Sequence, residues 1–183
     1  MVAVTILTLA VAGPLMTANR AIVAAQSARD QLTASYLAQE GIEHVRAIRD
    51  NAYLAAYYAG GAGISTTAWN NFLTASVAQC RSAECSLDPT LPIGYGSGSS
   101  LYQCAGNNCK LYLLSNGVYA TNRSGQTGTE TRFKRTVQIV DIAGTSDVSG
   151  SPYPDKRAVS KVSWDFHGTA YSVTIYDHLT PWQ

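Results

Sequence analysis

The order of apolar and polar positions divides this chain before any other property is considered. No charge occurs before Arg20, and the preceding nineteen residues are mostly apolar. Nineteen helical residues at ~1.5 Å each span roughly 28 Å, close to a hydrocarbon core of ~30 Å. Val4, Ile6, Leu7, Leu9, Val11, Pro14 and Leu15 are the positions of this segment expected to seek lipid or copies of the chain. From Ala18 to about Asn51 the pattern turns amphipathic. Ala34, Leu37, Ala38, Gly41, Val45, Ile48 and Ala52 recur at a 3.6-residue period, while Gln39, Glu40, Glu43, Arg46 and Asp50 take the opposite flank. One helix of ~50 residues follows, with Glu40–His44 and Arg46–Asp50 as i,i+4 pairs. Pro14 removes a backbone donor, so a kink or unwound section is expected near residues 10–14. Gly60-Gly61-Ala62-Gly63 ends the helix.

A cleaved signal peptide accounts poorly for the first segment, since no basic region precedes the apolar run and the helical pattern continues past it. A buried core helix is the other alternative. However, an apolar segment at the terminus of a long helix exceeds what a ~130-residue body can cover. The chain is therefore divided into residues 1–25, a transmembrane or filament-core half-helix, and residues 26–183, a globular head.

In the head the period changes from 3.6 to 2. Residues 59–109 read as a loop region, interrupted by Trp69–Leu73, a short helix or turn expected to pack on a sheet. Strands are expected at 110–114 and 118–121, joined by Ser115-Asn116-Gly117, an Asn-Gly hairpin signal. Further strands are expected at 132–142, 158–166 and 170–178, the last two turning at His167-Gly168. Val162, Trp164 and Phe166 alternate with polar Ser163 and Asp165, and Tyr171, Val173 and Ile175 repeat the pattern. The fold class is α+β: a long N-terminal helix on a four- to five-stranded antiparallel sheet, one apolar stripe against one apolar face. Leu37, Val45, Ile48, Trp164, Val173 and Ile175 are its expected core.

Composition narrows the chemistry. Only 14% of residues are Asp, Glu, Lys or Arg, and the formal net charge is +1, so composition offers no strong nucleic-acid footprint. Cys80, Cys85, Cys104 and Cys109 form two C-x4-C pairs. Disulfides in an oxidising compartment fit better than zinc, which favours tighter knuckles. Of three connectivities, the two local bridges are expected. No catalytic motif occurs. His44, His167 and His178 are expected at the surface, and Asp147, Asp155 and Glu130 in loops without calcium-loop spacing. Asn122-Arg123-Ser124 matches a glycosylation sequon. No cofactor, metal site or enzymatic activity is expected.

Met1-Val-Ala-Val-Thr-Ile-Leu-Thr-Leu-Ala10, the helical run Leu37 to Asn51, the strand Arg132–Ile139 and the closing segment Val162 to Trp182 together resemble type IV pilins, minor pilins and type II secretion pseudopilins. The family's basic leader, cut site, methylated Phe and nearby Glu would lie before Met1. They are expected upstream, the alternative being a chain that lacks the signal and is not processed by prepilin peptidase, and no processing residue is assigned within the chain. The resemblance implies the type IV pilin fold. It implies a structural subunit that waits in the cytoplasmic membrane and then joins copies or related subunits in an extracellular filament serving adhesion, motility, DNA uptake or secretion. The alternative is a membrane-anchored extracellular binding module that does not polymerise.

Overall fold

The computed structural model describes residues 2–93, 100–104, 109–121, 128–142 and 155–181, without the side chains of residues 4, 7–9 and 11. The sequon and Asp147 lie outside these residues. Helix α1 runs from Val2 to Ala59. It passes through Pro14 without a break, contrary to the unwound section expected there. The proline removes one backbone donor at a cost of ~3 kcal/mol, and the other hydrogen bonds of this 58-residue helix keep the backbone helical across it. The helix stops where glycines take over, with Gly60 at φ 70° and Gly61 at φ 110°.

The chain forms two compact units, Met1–Thr33 and Ala34–Gln183. In the second, α1 is followed by α2 (Ile64–Asn71), a π-helical turn (Phe72–Ser76) and α3 (Gln79–Ser82). Seven strands follow: β1 (Cys85–Leu87), β2 (Leu101–Gln103), β3 (Lys110–Leu114), β4 (Tyr119–Ala120), β5 (Gly128–Asp141), β6 (Lys156–Phe166) and β7 (Thr169–Leu179). All pairings are antiparallel. Strand β5 is the axis of the sheet. One edge pairs with β6, which pairs with β7; the other pairs with β3 over its first half and meets β1 at Cys85↔Val137.

The sheet thus has more strands than the four or five expected. The additional strands, β1 and β2, fall in a region read as loop. Each is three residues long, too short for a period to show, and each depends on a partner distant in sequence.

Both hairpin turns form where expected. Gly117 sits at φ 83°, and its N–H donates to the Leu114 carbonyl at 3.0 Å. His167 and Gly168 both have positive φ, 53° and 78°, as a two-residue turn of this twist requires.

The second part of α1 packs on one sheet face through two apolar clusters. Leu37 joins Ala34, Ala38, Leu111, Phe133, Val162, Trp164 and Phe166. Val45 and Ile48 join Ile42, Trp69, Phe72, Leu87, Val137 and Ile139. Trp69 and Phe72 stack with ring centroids 5.5 Å apart, so the short helical excursion packs into this core. Val173 packs against the first cluster and Ile175 against both, each only half-buried because β7 is a sheet edge.

Candidate functional site

Two features distinguish this molecule chemically: the apolar surface of the Met1–Thr33 unit and a buried polar network beneath the helix of the other. On the first, Val2, Ile6, Leu15, Met16, Ile22, Val23 and Leu32 are exposed, with Ile6 at 63% and Leu15 at 59%. Leu15 and Ile22, like Met16 and Val23, are seven residues apart and share one helix face. Pro14 is also exposed; the side chains of Val4, Leu7, Leu9 and Val11 lie outside the described residues. Among the described residues, no helix is long and apolar enough to cross a membrane. Thr5, Gly13, Pro14, Thr17 and Asn19 interrupt the apolar run, and Arg20 ends it.

In the second unit, burial rearranges the expected ion pairs. Arg135, on β5, is fully buried. Its Nη1 donates to the Glu40 carboxylate and, at 3.3 Å, to the Leu37 carbonyl. Its Nη2 donates to the Leu87 carbonyl at 3.2 Å, and its Nε has no hydrogen-bond partner among the described residues. Burial lowers the pKa of the guanidinium, opposed by Glu40 and Asp88. Glu40 therefore serves the sheet instead of forming the expected helical pair with His44.

His44 is buried, not at the surface as expected, and its Nε2 shares a hydrogen bond with Ser100 Oγ. Burial is the main cause that lowers its pKa, helped by Arg135 and opposed by Glu40 and Asp88. Asp88 links further groups: the Tyr102 hydroxyl donates to Thr121, whose hydroxyl donates to Asp88 at 2.9 Å.

Arg46 also leaves its expected partner. Its Nε and Nη2 donate to the two Asp177 oxygens, both at 2.8 Å, and Nη1 reaches Glu43. The Arg46 guanidinium holds the Asp177 carboxyl below its usual pKa. Of the expected loop acids, Glu130 lies in β5 and pairs with Lys110. Asp155 is buried and 3.1 Å from His178. His167, in the last hairpin turn, and His178 are exposed.

The cysteines pair locally, Cys80 with Cys85 and Cys104 with Cys109, at Cα separations of 5.2 and 5.7 Å. The first bridge is buried and joins α3 to β1; the second joins the end of β2 to the start of β3. A groove of about 340 Å³ beside β3 is lined by Leu113, Leu114, Ser115, Gly128 and Thr129 and offers no titratable side chain.

The buried network reads as a structural tie between helix and sheet. Its arginine is held by a carboxylate and two carbonyls. No known protein family, curated protein or solved structure matches this chain.

Proposed function

We propose that this chain is a structural subunit of a type IV pilin-like filament and assembles through the Met1–Thr33 part of α1. The observation that carries the reading is the set of exposed apolar side chains distributed around the helix of that unit. Full burial of one such aliphatic side chain contributes roughly 1.5–3 kcal/mol, so seven of them offer on the order of 10 kcal/mol gross. Association costs about 4–15 kcal/mol. A single helix–helix contact covers only part of these side chains and yields little net affinity, whereas neighbours on several sides are needed to reach the full figure. That arithmetic favours a filament over a dimer. The long helix on an antiparallel sheet fits the same reading, and the two disulfides fit an extracellular filament. The partners are other copies or related pilin subunits.

Deletion of residues 1–25 tests the proposal. The full chain is expected to form large species in sedimentation velocity and filaments in electron micrographs, and the truncated chain a monomer. A truncated chain that polymerises like the full one, or a full chain that stays monomeric, defeats it.

A further inference from the structure

The sheet face turned away from α1 gathers charge that the composition conceals. Lys110 on β3 and Lys134 on β5 are direct cross-strand partners. Lys134 faces Ser163 on β6, and Lys161, two residues earlier on that strand, faces Thr136. Three lysines thus cross three strands on one face. Like charges opposite one another destabilise a sheet. Glu130 compensates Lys110 alone. Lys134 and Lys161 are exposed and have no ion pair among the described residues. Arg157 extends the row, its guanidinium 5.8 Å from the centre of the exposed Tyr176 ring. Between the cations lie neutral hydrogen-bonding side chains: Ser163, Thr174 and Gln138.

We propose that this face docks an acidic polysaccharide. Carboxylates on the sugars would meet Lys134, Lys161 and Arg157, relieving the lysine repulsion. Sugar hydroxyls would meet the serine, threonine and glutamine side chains, and Tyr176 provides a flat ring for a sugar face. A single-stranded nucleic acid platform interleaves several stacking rings with its cations. Among the described residues, Tyr176 is the one exposed tyrosine of this patch, which favours the sugar polymer. The inference stands apart from the filament reading.

The test is binding of the full chain to immobilised polygalacturonate, with neutral dextran and duplex DNA in parallel. The wild-type chain is expected to bind polygalacturonate but not dextran, and more weakly as salt rises from about 50 to about 300 mM. Lys134→Gln with Lys161→Gln is expected to weaken binding about tenfold, and the corresponding double Glu variant to abolish it. Far-UV circular dichroism checks that both variants stay folded, as exposed positions allow. Absence of wild-type binding, unchanged binding by folded variants, or binding to duplex DNA as tight as to polygalacturonate each overturns the proposal.

Discussion

Arg135 and His44 show how a residue's role depends on what covers it. Removing an arginine from water costs several kcal/mol, and only a well-placed counter-charge and further hydrogen bonds offset that. Glu40, Leu37 and Leu87 supply them. The position was legible in outline: the two-residue period of β5 puts Phe133, Arg135, Val137 and Ile139 on one face, three of them apolar. His44 was not legible, because its partner Ser100 is 56 residues away. Its burial has a pH consequence. The folded pKa of His44 lies below the usual 6.5. The unfolded chain then binds more protons near and below pH 6.5, so stability is complete above that value and falls as pH drops towards the folded pKa. Facing groups act in both directions: Arg135 on β5 strengthens the effect, while Glu40 on α1 and Asp88 after β1 weaken it. Asp177, also lowered by Arg46, contributes stability above the unfolded carboxylate pKa of 3.8, so its loss comes at lower pH. Urea unfolding followed from pH 8 to pH 5 is expected to show declining stability in the wild type and a flatter profile in His44→Gln. An unchanged slope in the variant would remove His44 as the cause.

At the level of elements, the close approach of helix to sheet turns on Gly41. A Cβ there would lie 3.2 Å from Ser160 Cβ and nearer still to its Oγ, with Val137 Cγ2 at 3.4 Å. The Ser160 Oγ can rotate only if the packed interface allows it, and Ser160 Cβ belongs to the strand itself, so Gly41→Ala requires Ser160 to change rotamer and α1 to move from β6 by a few tenths of an ångström. The expected cost is ~1–3 kcal/mol in chemical unfolding. Ser160 Oγ is buried without a hydrogen-bond partner among the described residues. Ser160→Ala alone is therefore expected to be near neutral. It should also reduce the cost of Gly41→Ala, a coupling that a double-mutant cycle measures; additive costs would show that the contact is elsewhere. The elements legible in the sequence were those that carry their own period or turn: α1 to its glycines, and the hairpins at Asn116-Gly117 and His167-Gly168. Strands β1 and β2 carry neither. They exist through pairing with each other and, for β1, with β5, and the Cys80–Cys85 bridge holds β1 to α3. The basic sheet face escaped for a similar reason: Lys110, Lys134 and Lys161 are remote in sequence and meet only through strand register.

For the molecule as a whole, the division at Thr33 separates the unit that holds both apolar clusters from the unit through which assembly is proposed. Both apolar clusters draw their buried residues from Ala34 onwards. The exposed apolar side chains from Val2 to Leu32, which lie around the helix, belong to the other unit. A change in those side chains should leave the core intact and act only on association. Leu15→Asp with Ile22→Asp puts two charges on one face of α1. Exposed substitutions of this kind shift stability by only about 0.5 kcal/mol each, so the cooperative unfolding of the globular unit, followed by near-UV circular dichroism, is expected to stay close to wild type. Burying either carboxylate in a bundle of apolar helices costs several kcal/mol, comparable to the whole net gain from assembly. Sedimentation should therefore show loss of the large species with an unchanged unfolding curve. Two results would separate the alternatives. If unfolding weakens in parallel with assembly, the exposed helix side chains contribute to the fold of their own chain. If the large species persist, association does not run through these side chains and the proposed assembly surface is wrong.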